Sequence, residues 1–248
     1  MGVSGRAQRR VGKFSAATNA PGSGRRQRGT VWKHGTVPDF LAPATLSTAR
    51  LRLEPLTWND LAEVHAVYSD PGTWLHLPSG RHTTLALSEH SIAESQASWA
   101  ASGLGRWAVR LRDSLPGTDL AAGTLIGVAA MMQMDCGAYN LGYRLTPTSW
   151  GVGLATEAAT AALAAARDAP LPVTARALAN NPASVRVLER IGLSRVWSGS
   201  GLPADPANST ATAATAHHVY PASTRLERVV FADRPLEPEL LAAIIRLG

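Results

Sequence analysis

Cysteine is almost missing from this sequence. Cys136 is the only one in 248 residues, which excludes a disulfide framework and any metal site built from several thiolates. A long apolar run is missing too. The longest uncharged apolar stretch, residues 120–134, has Gly, Thr and Gln within it, and a bilayer span needs about 20 apolar residues. No apolar segment follows the basic N-terminus, so no secretory signal is expected. These absences lead us to expect a cytoplasmic protein with no metal and no membrane partner.

Charge is present but unevenly placed. The chain carries +6 overall, and Lys13 and Lys33 are its only lysines. Residues 1–44 carry +7 because Asp39 is their only acid, so residues 45–248 are close to neutral at −1. The basic excess therefore says nothing about a nucleic-acid groove on a folded domain. Residues 1–44 are rich in Gly, Ser, Ala, Thr and Arg and lack apolar periodicity. They read as a disordered tail, with nucleic-acid or ribosome contact as one role for it and an organellar transit segment as another. A single folded domain is expected over residues 45–248.

Within that domain, residues 48–56 alternate apolar and charged and read as a strand. Thr57 and Asp60 are spaced as a capping box for a helix bearing Leu61, Val64 and Tyr68, and Asp70-Pro71-Gly72 ends it. A second helix is expected over 88–102, with Gly103 after it. Strands follow at 107–111, 124–134 and 139–145. An alanine-rich helix is expected over 150–167 and a strand over 173–178. A helix over 182–191 has Pro182 in its first turn and Gly192 after its end. The last elements are a strand at 193–197, a long loop at 198–224, a strand at 225–232 and a helix at 237–247. This order implies an α/β (α+β) domain. It would have about seven strands in a mixed, mostly antiparallel sheet, with helices on both faces.

One stretch carries chemistry: Ser149-Trp150-Gly151-Val152-Gly153-Leu154-Ala155-Thr156-Glu157, between a strand and a helix. Glycines let backbone approach a ligand closely. The first amides of a helix have no intrahelical acceptor and sit at the positive end of its dipole. Together they suit a phosphate or diphosphate. The loop itself holds no Lys or Arg, so the amides would do the binding. A P-loop is excluded because no lysine follows the glycines. A dinucleotide fingerprint is excluded because Thr156 stands at its third glycine.

Three segments, in order, resemble the GCN5-related N-acetyltransferases, in particular the branch of ribosomal-protein N-terminal alanine acetyltransferases. They are residues 48–56 (TARLRLEPL), residues 140–158 (NLGYRL through WGVGLATEA) and residues 181–193 (NPAS through VLERIGL). The resemblance implies acetyl-CoA as donor, with its diphosphate on Gly151, Val152, Gly153, Leu154, Ala155 and Thr156. It implies a central splayed strand pair, where backbone near Leu145 meets the pantetheine arm. Asn181 is expected to hold that arm, or simply to cap the helix at Pro182. Ser184 is similar to the serine that assists the departing thiolate in this branch. Leu188 stands where many relatives have an acidic tyrosine, and Asn140 where many have a glutamate. The base is therefore open: Asp135, His76, Glu94 or a water chain.

Glu157 is expected to play a structural part, and Tyr143 to pack in the sheet. The acceptor would be a primary amine on a protein N-terminus or a small molecule. The scattered acids Asp60, Glu63, Asp70, Glu89 and Glu94 favour a cationic one. A homodimer is a further expected assembly. The competing reading is a non-catalytic acyl-CoA-binding module.

Overall fold

Alternation at residues 51–55 places Leu51 and Leu53 on one fully buried face, and a strand forms there. The structure, a computed structural model, describes residues 45–200 and 226–247. The tail expected at 1–44 and most of the loop expected at 198–224 lie outside the described residues. The described chain begins with β1 (Leu46–Ser47), β2 (Leu51–Pro55), α1 (Leu61–Ser69) and α2 (Leu85–Ser102). The sheet's central strands follow: β3 (Arg106–Leu111), β4 (Leu125–Met134) and β5 (Ala138–Leu145). Then come α3 (Leu154–Ala165), β6 (Val173–Leu178), α4 (Pro182–Arg190), β7 (Ser194–Gly199), β8 (Arg228–Ala232) and α5 (Pro238–Arg246).

One eight-stranded sheet runs in the order β1-β2-β3-β4-β5-β6-β8-β7. The eighth strand, beyond the seven expected, is β1. Two residues hold too little pattern to be read as a strand. Leu46 and Ser47 pair with Leu53 and Arg52 because Thr48 closes the turn, its Oγ1 accepting from the Leu51 amide at 2.9 Å. The capping box forms as spaced: Asp60 accepts from the Thr57 amide at 2.8 Å, on a single 3-10 turn that leads into α1. Between α1 and α2 the chain makes two more 3-10 turns, Pro71–Trp74 and Pro78–Gly80, where only a stop was expected.

Helices cover both faces. On one, Ala158, Ala159 and Ala162 of α3 are fully buried against Leu51, Val109 and Leu141. Methyl-sized side chains let this helix lie close to the sheet. On the other, Val64, Val67 and Ile92 of α1 and α2 pack on Leu56, Ala108 and Val128. Each such buried aliphatic side chain contributes about 1.5–3 kcal/mol. Among the described residues, no helix is long and apolar enough to cross a membrane.

The sheet opens at its centre. β5 and β6, its one parallel pair, meet only at Tyr139↔Val173 and Asn140↔Thr174. Beyond Asn140, β5 stays on β4 as far as Leu145, whereas β6 follows β8 as far as Leu178. On the β4 side the hydrogen-bonded register is set by Thr146 N–H donating to Ile126 O at 2.8 Å. By alternation, the backbone groups of Leu141, Tyr143 and Leu145 turn toward the gap.

Candidate active site

A cleft of about 930 Å3 occupies this gap and continues to the start of α3. α3 begins at Leu154, four residues later than the periodicity suggests, because Gly151 (φ +82°) and Gly153 (φ +84°) take the left-handed conformation that no helix residue adopts. Intrahelical bonding starts with Glu157 N–H to Gly153 O at 3.1 Å. The amides of Leu154, Ala155 and Thr156 are thus the orphan donors of the first turn. These three residues, with Gly151 and Gly153, line the cleft. Val152 does not. Its side chain is exposed, and its carbonyl accepts from Arg50 Nη1 at 2.8 Å.

Arg50 is a cation that the loop itself lacks. Its Nε and Nη2 each lie 2.7 Å from Glu157 Oε2, and its amide donates to Glu157 Oε1 at 2.8 Å. Thr48 Oγ1 adds a 2.6 Å bond to the same oxygen. Burial tends to raise the Glu157 pKa, but the bonds from Thr48 and Arg50 outweigh it and hold the carboxyl below its ordinary value. Glu157 therefore ties the β1–β2 turn to the first turn of α3, and Arg50 holds the loop between the two glycines.

Across the gap lies the start of α4. Asn181 caps it, its Oδ1 accepting from the Ser184 amide at 3.2 Å. Among the described residues, no hydrogen-bond partner is seen for the Asn181 Nδ2, and Asn181 lines the cleft. Ser184 also lines the cleft, and Tyr143 reaches it from β5. The Tyr143 hydroxyl lies 2.9 Å from Ser184 Oγ and donates to Ser184 O at 3.0 Å. Tyr143 thus does more than pack. The signal was its even spacing from Leu141 and Leu145, which lie on the sheet face covered by α3. Leu188 is buried in the core, so the next turn of α4 brings no hydroxyl. Leu145 borders the gap, and its carbonyl accepts from Trp150 Nε1 at 2.9 Å. One of its two lone pairs is therefore already engaged.

The opposite half of the cleft is basic. Cross-strand partners share a face, so the registers put Arg106, Arg144, Arg176 and Arg228 on the α1–α2 side of the sheet with Asn140. All five line the cleft. Arg144 stacks on Trp74, 3.3 Å from the ring centroid, and donates to Thr73 O. His76 lines the cleft beside them, and burial and then the Arg144 charge lower its pKa. Asn180 Nδ2 donates to His76 O at 3.4 Å, which ties this segment to the start of α4. The Asn140 Oδ1 is buried without a hydrogen-bond partner.

No Asp or Glu among the described residues lines the cleft. Of the five acids that favoured a cationic acceptor, Glu89 is exposed on α2 and does not line the cleft, and the other four are engaged elsewhere. Asp60 and Glu63 hold Arg110 at 2.6 and 2.9 Å. Asp70 accepts from the Gly72 amide, and Glu94 pairs with Arg106 at 3.2 Å. Asp135 sits in the exposed turn between β4 and β5 and is not among the residues that line the cleft.

A family model described as Acetyltransferase (GNAT) domain matches residues 50–194. No curated protein matches the chain by sequence. Among solved structures, a GNAT-family acetyltransferase from Bacillus anthracis is similar at 20% identity and a TM-score of 0.54, over 76% of this chain and 97% of that one. RimL, a ribosomal L7/L12 alpha-N-protein acetyltransferase solved with coenzyme A, is similar at 13% identity and 0.56, over 76% and 97%. The microcin C7 self-immunity acetyltransferase MccE, solved with acetyl-CoA and AMP, is similar at 11% and 0.52, over 75% and 92%. At such identities the likeness is one of fold.

Proposed function

Because this chain belongs to the GNAT acetyltransferase domain family, we propose that it is an acetyl-CoA-dependent N-acetyltransferase acting on a primary amine. One observation carries the reading. The cleft joins three orphan amides at a two-glycine helix start to an open strand pair with a serine hydroxyl across it. The residues fit the co-substrate. Gly151 and Gly153 leave room for a diphosphate on the amides, the β5 backbone offers partners to an amide-bearing arm, and Asn181 Nδ2 would donate to the same arm. The RimL and MccE structures were solved with coenzyme A and acetyl-CoA, respectively, which supports this choice.

Acetyl-CoA supplies an activated acetyl group as a thioester. The protein must hold it, leave the amine uncharged, and ease departure of the sulfur. Ser184, on the cleft wall, would donate its Oγ–H to that sulfur. For the amine's proton we favour His76 over Asp135, since His76 lines the cleft and Asp135 does not. With its pKa lowered from 6.5, His76 is neutral through neutral pH and ready to accept. Turnover should then fall as pH drops through the His76 pKa, which lies below 6.5. His76→Gln is expected to lower kcat by about a hundredfold and to flatten that acid limb in initial-rate assays. An unchanged acid limb would remove His76 from the mechanism.

The acceptor half bears arginines and no described carboxylate. Release of free thiol from acetyl-CoA with a panel of acidic, neutral and cationic amines tests for acceptor turnover. The non-catalytic reading is favoured by Leu188 and by the lack of carboxylates among the described residues of the wall. Tight acetyl-CoA binding with no thiol release from any amine would establish it instead.

A further inference from the structure

The buried hydroxyl of Tyr143 is unused by the reading above. Tyr143 projects from β5 to α4, where its oxygen meets both Ser184 Oγ, at 2.9 Å, and Ser184 O, at 3.0 Å. Its ring packs against the main core, which fixes the hydroxyl's position. A phenol has one proton to give. Two proton arrangements therefore exist. In one, Tyr143 donates to the Ser184 carbonyl, and the Ser184 proton can turn to Tyr143, away from the cleft. In the other, Tyr143 donates to Ser184 Oγ, and the Ser184 proton is left for the cleft.

We propose that Tyr143 is a positioning residue that sets the direction of the Ser184 hydroxyl and strengthens it as a donor to the sulfur of bound coenzyme A. Negative charge on that sulfur selects the second arrangement. The Tyr143 proton swings from the carbonyl to Ser184 Oγ, and the Ser184 proton points at the sulfur. No bond to a heavy atom is made or broken in this reorientation. A donor that itself accepts a hydrogen bond is polarised and donates more strongly. Tyr143 is not the acid itself. Burial outweighs its bond to Ser184 and pushes its pKa to about 12, so it stays protonated wherever a thiol ionises.

This inference rests on the acetyl-CoA reading, and its test needs no acceptor. The full chain is titrated calorimetrically with coenzyme A and with acetyl-CoA at pH 6.5 and pH 9. Coenzyme A has an ionisable thiol and acetyl-CoA has none. The ratio of their affinities therefore isolates stabilisation of the thiolate. His76 and the cleft cations Arg106, Arg144, Arg176, Arg186, Arg190 and Arg228 also act on a thiolate, but every variant keeps them, so differences between variants remove their contribution. In the wild type the ratio should rise with pH in favour of coenzyme A. Tyr143→Phe keeps the ring and is expected to cut that rise by at least about threefold, with acetyl-CoA affinity unchanged within about twofold. Ser184→Ala should cut the rise at least as far, and adding Tyr143→Phe to it should change nothing more.

A Tyr143→Phe protein with the full wild-type rise would overturn the proposal. So would a Tyr143→Phe effect of the same size in the Ser184→Ala background, since Tyr143 would then act without Ser184. If the wild type binds acetyl-CoA but shows no rise, Ser184 does not stabilise the thiolate and the inference fails alone. If the wild type binds neither ligand, the acetyl-CoA reading fails and takes this inference with it.

Discussion

Gly153→Glu is expected to abolish acetyl-CoA binding to the full chain, with Kd rising by at least about a hundredfold in calorimetric titration. The backbone at Gly153 has φ +84°, so any other residue pays roughly 1–2 kcal/mol in conformation. Space is not the obstacle. The nearest atom a Cβ would meet is Arg50 Nη2, at 3.6 Å, an ordinary contact. What the glutamate adds is charge at an anion site. A unit charge about 5 Å from a phosphate costs about 3 kcal/mol at an effective dielectric of 20, which is more than a hundredfold in Kd. Gly153→Ala separates the two effects. It carries the backbone strain without the charge, so it should lose stability yet keep binding within about tenfold. Wild-type affinity in Gly153→Glu would move the diphosphate off this loop. Equal loss in both variants would make the loop's shape, and not its charge, the determinant.

Local features of this fold were legible in the sequence, and the reasons are physical. The Thr57–Asp60 box, the alternation at 51–55 and the alanine run of α3 each act within a few residues, so their pattern survives in the linear text. The glycine pair before α3 was legible in the same way, although its left-handed geometry moved the helix start to Leu154. What escaped depends on contacts far apart in sequence. Arg50 and Glu157 are 107 residues apart, and Tyr143 and Ser184 are 41 apart. The basic half of the cleft is a further case. Arg106, Arg144, Arg176 and Arg228 lie on four strands, and only the sheet order and registers put them on one face. The same long-range pairing removed the acids from consideration, since Glu94 is used by Arg106 and Asp60 by Arg110. Asp135 looked suitable because it ends a central strand, but the turn that follows carries it out to solvent.

Glu157→Ala should lower stability by about 2–4 kcal/mol and weaken acetyl-CoA binding at the same time. The carboxylate is mostly buried and takes bonds from Thr48, the Arg50 amide and the Arg50 guanidinium. Hydrogen bonds to a charged group contribute about 1.5–3 kcal/mol each at most, and an acid in the first turn of α3 adds a few tenths through the helix dipole. Arg50 is half exposed and returns to water in the variant, which limits the cost. Thermal unfolding should shift down by roughly 5–10 °C. The pH dependence gives an independent sign. The folded pKa of Glu157 is lowered from 4.5, so its stabilisation is complete above 4.5 and is lost as pH falls through the lower, folded value. The gap between wild type and Glu157→Gln should therefore be constant from pH 6 to 8 and close in acid. A gap that widens in acid would show that the carboxyl is held protonated. Binding is coupled to this clamp because Arg50 Nη1 fixes the Val152 carbonyl between the two glycines. Once Glu157 is gone, Arg50 no longer has a fixed direction. The loop then loses the side chain that holds the Val152 carbonyl. An Asn181→Asp variant should keep the helix cap, weaken binding and leave stability nearly unchanged. Loss of stability and binding together in Glu157→Ala, and of binding alone in Asn181→Asp, would separate the scaffold of this site from the surface that touches its ligand.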